Sequence, residues 1–320
     1  MIKFSGSTST DLEICDGAYK ALPFFLNQQN IKILEDMGVE DKFFLSHQAK
    51  AIRNLQSVVL SSAKASSFLR AQSIAVPAHI PWLIKKLETM GLSFDQDDFL
   101  QDVLEIAVLV ELRALKYKAR IPVKQGYTLF GIMDETGILE EGQIFCIVEE
   151  EGKMKIITGK DLIITRSPSL HPGDIQIVNA VNVPENSPLR LLRNCICFSQ
   201  KGSRDLPSKL SGGDLDGDLF QILFDPEARP KRVYSPASYD RPDPVDLRRP
   251  ITREDMIDFF VTFMETDQLG RIANMHKILA DQHNDGVLND DCLKLAEMHS
   301  IAVDFSKTGV PVGSTHQRYF

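Results

Sequence analysis

Apolar and polar positions divide the chain into stretches of different period. From about Gln29 to Lys118, apolar residues recur every three or four positions, the spacing of helices with one buried face. Ile31, Ile33, Leu34 and Met37 form a short stripe that stops at Gly38, a residue suited to a left-handed C-cap. A longer helix is predicted over 44–69, through Leu45, Ile52, Leu55, Val58, Val59 and Leu60. Another follows Pro81, which suits a first helical turn, and stops at Gly91. The last, over 97–118, carries Phe99, Leu100, Val103, Leu104, Ala107, Val108 and Leu112 on its buried side. Before these, Pro23-Phe-Phe-Leu26 reads as a short buried anchor.

At Ile121-Pro122 the period falls to that of strands. Strands are predicted at 127–133, 143–148, 155–157, 162–165, 175–178, 191–198 and 219–224. Asp134-Glu-Thr-Gly137 supplies a turn and Glu151-Gly152 a hairpin signal. Short strands so closely spaced predict a small barrel, closed or nearly so, and periodicity leaves its type open. After Pro226, the prolines at 230, 236, 242, 244 and 250 predict an extended surface linker. Helices follow at 255–265, with Thr252 as cap, and at 270–281 and 290–300. The reading is α+β: a mainly helical region (1–120), a small β-barrel (121–226), a Pro/Arg-rich linker (227–251) and a C-terminal helical region (252–320).

Composition narrows the class. A hydrophobic content of 43% with 25% charged residues is that of a soluble globular protein. The most apolar helix, near 99–115, contains Asp102, Glu105 and Glu111, which argues against a membrane span. No basic-then-apolar secretory leader opens the chain, and five cysteines suit reduced thiols in an intracellular compartment. Cys195 and Cys197 have no second pair at zinc-binding spacing. The net charge of -8 argues against a nucleic-acid partner, but its distribution is uneven. Arg190, Arg193, Lys201, Arg204 and Lys209 form one basic run, and Arg229, Lys231, Arg232, Arg241, Arg248, Arg249 and Arg253 another. Acidic residues concentrate at Glu140-Glu141 and at 149–151. The competing reading of either basic run is a solvated surface, and the second run is read that way.

Between the basic runs lies Ser211-Gly-Gly-Asp-Leu-Asp-Gly-Asp218, with Asp214, Asp216 and Asp218 at alternate positions. Two carboxylates 4 Å apart repel by roughly 4 kcal/mol at an effective dielectric of 20. Such a group splays into water, takes up protons or holds a cation. In a straight strand the outer two would stand about 13 Å apart, too far for one ion. A shared site therefore requires a curled backbone, which Gly213 and Gly217 permit. A solvated acidic turn remains the competing reading. An EF-hand fits poorly, because Leu219 stands where that loop needs glycine and Asp225 where it needs glutamate.

The run Lys209-Leu-Ser-Gly-Gly-Asp-Leu-Asp-Gly-Asp218 resembles the catalytic signature of the cell-encoded RNA-dependent RNA polymerases of eukaryotic RNA silencing. Asp134-Glu-Thr-Gly-Ile-Leu-Glu-Glu-Gly-Gln143, Thr165-Arg-Ser-Pro-Ser-Leu-His-Pro-Gly-Asp174 and Phe198-Ser-Gln-Lys-Gly202 resemble the same family in order. So do Leu269-Gly-Arg-Ile-Ala-Asn274 and His299-Ser-Ile-Ala-Val-Asp-Phe-Ser-Lys-Thr-Gly309 downstream. The resemblance implies a double-psi β-barrel with the Asp loop between two of its last strands. It also implies metal-dependent nucleotidyl transfer, RNA-templated, from nucleoside triphosphates on single-stranded RNA, yielding double-stranded RNA. Asp214, Asp216 and Asp218 would bind Mg²⁺, with Mn²⁺ as an alternative ion, in a two-ion mechanism. Arg166, Lys201 and Lys209, with Gly213 and Gly217, would face substrate; other silencing proteins are further expected partners.

The family's site lies between two barrels, the first upstream of a segment like Met1-Ile-Lys-Phe4, so the chain reads as a fragment whose isolated activity is in doubt. The segment 313–320 departs from the family. Two other readings are a non-catalytic RNA- or protein-binding module that kept the barrel, and a Ca²⁺-binding regulatory domain.

Overall fold

The computed structural model describes residues 17–150, 152–239 and 247–312. The opening Met1-Ile-Lys-Phe4, Glu151 of the hairpin signal, Arg241, Pro242 and Pro244 of the linker, and the segment 313–320 lie outside them. The chain forms two compact units, one of Phe25–Gln28 with Glu40–Val123, the other holding Gln29–Val39 and the chain from Lys124 onward.

In chain order the elements are β1 (Leu22–Leu26), α1 (Gln28–Asp36), α2 (Asp41–Val58), α3 (Ser62–Ala71), α4 (Ile80–Thr89) and α5 (Asp98–Lys118). Then come β2 (Ile121–Met133), β3 (Gln143–Glu150), β4 (Lys153–Ile156), β5 (Gly159–Arg166), β6 (Gln176–Ala180), β7 (Cys195–Phe198), α6 (Leu206–Lys209) and β8 (Leu219–Leu223). The chain closes with α7 (Arg253–Thr266), α8 (Leu269–Gln282) and α9 (Asp290–Thr308).

In the smaller unit, α2 to α5 pack Val58, Ala65, Leu69, Ile84, Leu100 and Leu104 into one core. The single helix predicted over 44–69 is instead two, α2 and α3, broken at Val59-Leu60-Ser61. Leu60 is 82% exposed there, and serine competes for backbone hydrogen bonds rather than extending a helix. Asp97 caps α5 by accepting the Leu100 amide at 2.9 Å. The buried side of α5 is narrower than its apolar stripe: Leu100, Leu104 and Ala107 are buried, while Phe99 is exposed.

In the larger unit, β2, β7, β3, β6, β5 and β8 pair in that order, and β8 pairs back to β2 to close a six-stranded barrel. The β2–β7 and β3–β6 pairings are parallel and the other four antiparallel. This closed barrel, with helical regions on both sides in the sequence, is the expected α+β fold and is consistent with a double-psi β-barrel. Alternate side chains of β3 explain its nearly unbroken apolar run. Ile144, Cys146 and Val148 enter the barrel core with Phe198 and Phe220, while Phe145 and Ile147 join a second core with Leu139, Val183 and Leu189. The strand predicted over 191–198 begins only at Cys195, because Pro188–Leu191 forms a 3₁₀ turn that leaves Leu191 80% exposed.

Two strand ends set the functional geometry. β5 finishes at Arg166 opposite Phe220 in β8, so the chain entering β8 passes beside that arginine. Gly131 of β2 donates its amide to the Asp218 carbonyl at 3.2 Å, fixing where the Asp loop meets the sheet. Among the C-terminal helices, Thr252 and Asp255 form a reciprocal capping box at α7. α8 and α9 pack through Ile272, Leu295 and Met298. α9 runs past the predicted end at Ser300 as far as Thr308. Among the described residues, no helix is long and apolar enough to cross a membrane.

Candidate metal and catalytic site

Asp205 caps α6 by accepting the Ser208 amide at 2.8 Å, and the chain then curls sharply. Ser211 (φ 52°), Gly212 (φ 63°) and Gly217 (φ 125°) all take left-handed backbone conformations. The curl brings carboxylate oxygens of Asp214, Asp216 and Asp218 within 4.8 Å of one another. The Asp214 amide donates to Asp218 Oδ2 at 2.9 Å and closes the loop on itself. Arg166 grips Asp218 from β5, with Nε at 2.7 Å from Oδ2 and Nη2 at 3.2 Å from Oδ1.

The two glycines expected to permit this curvature act differently. A Cβ on Gly213 would lie 2.7 Å from Arg166 Cδ and 3.0 Å from the Pro207 carbonyl oxygen, so close approach demands glycine there. Around Gly217 nothing lies within 4 Å, and its φ alone makes the demand.

Electrostatics favours a cation at the triad. A hydrogen bond with Asp216 raises the Asp214 pKa above the usual carboxylate range, burial adds to the rise, and Lys307 opposes it. Lys307 Nζ on α9 stands 3.6 Å from Asp214 Oδ2. Three hard oxygen donors on one curled loop, already close enough for two to share a hydrogen bond, fit a hard divalent cation.

Of the predicted substrate-facing residues, the structure places Arg166, Gly213 and Gly217 at the triad. Lys201, in the loop after β7, and Lys209, at the end of α6, face elsewhere: Lys201 Nζ is 2.5 Å from Glu140 and Lys209 Nζ is 3.4 Å from Glu141. The acidic run thus meets the basic one. Neither lysine lines the two cavities at the loop. One, of about 70 Å³, is walled by Arg166, Asp174, Asp214, Asp218, Tyr239 and Lys307. The other, of about 670 Å³, opens on the far side of the loop among Phe198, Arg204, Asp214, Leu215 and Tyr239.

Sequence reasoning missed Lys307, Asp174 and Tyr239 as neighbours of the triad. For Lys307 a signal existed. His299, Val303 and Lys307 are four apart and all line the smaller cavity, which follows once the helix is continued past Ser300. Asp174 ends the segment 165–174 that resembles the family, and nothing in its local residue types points to the triad. Tyr239 has no periodicity around it to mark it.

A closed six-stranded barrel that presents an acidic triad on the loop into its last strand defines a barrel protein with a candidate divalent-metal centre. The fold matches that of the solved RNA dependent RNA polymerase QDE-1 from Thielavia terrestris, with a TM-score of 0.69 over 93% of this chain and 37% of that one, at 22% identity. The family model described as RNA dependent RNA polymerase matches residues 1–319, and the chain belongs to that family. It is 34% identical over 314 residues to a probable RNA-dependent RNA polymerase 1 of Oryza sativa subsp. japonica, covering 97% of this chain and 41% of that protein. Over 311 residues it is 34% identical to RNA-dependent RNA polymerase 1 of Schizosaccharomyces pombe, covering 89% of this chain and 25% of the relative. The chain therefore spans less than half the length of these curated relatives.

Proposed function

We propose that this chain is the metal-holding part of an RNA-dependent RNA polymerase that joins nucleoside triphosphates on a single-stranded RNA template. The observation that carries this reading is the cluster of Asp214, Asp216 and Asp218, with carboxylate oxygens within 4.8 Å of one another, in a chain of this family. In the reaction a 3′-hydroxyl oxygen attacks the α-phosphorus, the bond to pyrophosphate breaks and the hydroxyl proton passes to water. Asp214, Asp216 and Asp218 would hold Mg²⁺ or Mn²⁺, which when bound would supply activation of that hydroxyl and neutralisation of charge on the phosphates.

The protein's own part is positioning. Arg166 fixes Asp218, while Gly213 lets the loop close onto Arg166. Lys307, half exposed on the wall of the smaller cavity and paired with Asp214 at 3.6 Å, is the lysine placed to meet a triphosphate at the triad, whereas Lys201 and Lys209 pair with glutamates away from both cavities. Every basic residue of the first run has a protein partner: Arg190 on Val183, Arg193 on Glu149, Arg204 on Ser208, and the two lysines on Glu140 and Glu141. That internal pairing speaks against a role confined to binding RNA through this run.

Double-stranded RNA as product, a place in RNA silencing with its protein partners, and an intracellular site of action belong to the same proposal. The test is nucleotide incorporation on single-stranded RNA with Mg²⁺, by a full-length polymerase that includes this chain. Asp216→Ala is expected to abolish incorporation; a variant that incorporates like its parent would contradict the site.

A further inference from the structure

Asp174 lies outside the triad, yet it is 1% exposed and ionisable. Its carboxylate collects donors from three separated segments. Oδ2 accepts the Leu170 amide at 2.9 Å and the His171 amide at 3.0 Å, both from its own turn after β5. Oδ1 accepts the Ser211 amide at 3.2 Å, at the start of the Asp loop, and the hydroxyl of Tyr239. Tyr239 comes from the irregular, proline-bearing segment after β8.

That segment is held down at several points. The Ser235 carbonyl oxygen and Pro236 Cα lie 2.2 Å and 2.7 Å from where a Cβ on Gly173 would stand, so the chain crosses directly over this glycine. Gln176 Nε2 donates to the Tyr234 carbonyl at 3.2 Å, and Arg204 Nη1 to the Ala237 carbonyl at 2.8 Å. The stretch read from sequence as a surface linker is, over 234–239, fastened against the loop.

Ser211 is where this fastening meets the triad. It is a non-glycine residue at φ 52°, a conformation that persists only when its surroundings hold it. Asp174 holds its amide, Arg166 Nη1 its carbonyl at 3.1 Å, and the Pro168 carbonyl its hydroxyl at 2.5 Å. The same Arg166 grips Asp218. A Cβ on neighbouring Gly212 would stand 3.2 Å from Tyr239 Cβ, so the tyrosine also packs beneath the turn.

We infer that Tyr239, acting through buried Asp174, is a positioning residue for the metal-binding loop, and that residues 234–239 form a strap that fixes Ser211 and thereby the spacing of the three aspartates. The inference rests on the metal reading proposed above, but the strap itself is a structural statement that can be tested apart from it. Burial pushes Asp174 up to about 6, so its charge at neutral pH depends on the donors around it, of which the Tyr239 hydroxyl is one.

Tyr239→Phe in the 320-residue chain removes the hydroxyl and keeps the ring. Two measurements decide the matter: hydrogen exchange of the peptide spanning 206–220, and Mn²⁺ affinity by electron paramagnetic resonance. The variant should exchange faster in that peptide, with exchange across β3 unchanged. It should bind Mn²⁺ measurably more weakly, by up to about tenfold, since tenfold is the lower end of the loss when a direct partner of a metal ligand is removed and Tyr239 acts one step further out. Unchanged exchange in the loop overturns the strap. Faster exchange with undiminished Mn²⁺ affinity overturns the positioning role. If the parent chain binds no Mn²⁺ the metal reading fails instead, and exchange alone then upholds or overturns the strap. Tyr239→Ala, which also removes the ring beneath Gly212, should exceed Tyr239→Phe in loop exchange; equality of the two with the parent counts against the inference.

Discussion

Gly213 and Gly217 serve one loop by different means, and substitution separates them. Gly213→Ala forces a methyl group against Arg166 Cδ and the Pro207 carbonyl, so Arg166 must leave Asp218 or the loop must shift. Overpacking of this kind costs about 1–3 kcal/mol. In Gly217→Ala the methyl group has open space, and the cost is backbone strain of about 1–3 kcal/mol at φ 125°. A double-mutant cycle distinguishes the two: shortening Arg166 to Ala should recover part of the Gly213→Ala loss and none of the Gly217→Ala loss. Equal coupling of both glycines to Arg166 in denaturant unfolding would refute the assignment. At this scale the three aspartates and their glycines were legible, because like-charge repulsion and backbone reach are properties of the local sequence. The partners of Lys201 and Lys209 were not, since Glu140 and Glu141 are distant in the chain and only the fold brings them near.

Elements whose signals are local were read well. The apolar stripe over 97–118 announced α5, and the structure adds its cap, Asp97, which accepts the Leu100 amide. Asp97→Ala should therefore destabilise the helical unit by about 1 kcal/mol, read as a lowered denaturation midpoint, with no change in divalent-ion binding by the Asp loop. An unaltered midpoint would remove the cap from the account. Thr252 and Asp255 likewise announced α7. Elements were misjudged where packing overrides pattern. α9 continues past Ser300 to its left-handed cap at Gly309, although its stripe there is weak, and so carries Lys307 to the triad. The strand expected from Leu191 starts late because the 3₁₀ turn at Pro188–Leu191 occupies its beginning.

For the whole molecule, periodicity announced a small barrel and could not give its strand order. The parallel β2–β7 and β3–β6 pairings join segments distant in sequence, and only the type of barrel was implied, by family resemblance. Stability of the larger unit as a whole should depend on pH through buried groups. Burial, with His299 nearby, lowers the His276 pKa to about 4, and burial lowers His299 to about 4. Between pH 6.5 and 4 the unfolded chain takes up protons that these folded histidines refuse, so their contribution falls as pH drops. Asp174 acts the other way, because its folded pKa of about 6 exceeds the unfolded value and acid favours its folded form. From pH 7 to pH 5 the histidines together lose about 4 kcal/mol and Asp174 returns about 1 kcal/mol, a net loss of about 2–3 kcal/mol. Denaturant unfolding at the two pH values checks this, and equal or greater stability at pH 5 would contradict it.

The most direct test of the central claim is an anomalous difference map from crystals of the chain soaked in Mn²⁺. The account predicts a peak bounded by Asp214, Asp216 and Asp218. An empty map at three ordered, unobstructed carboxylates would contradict it.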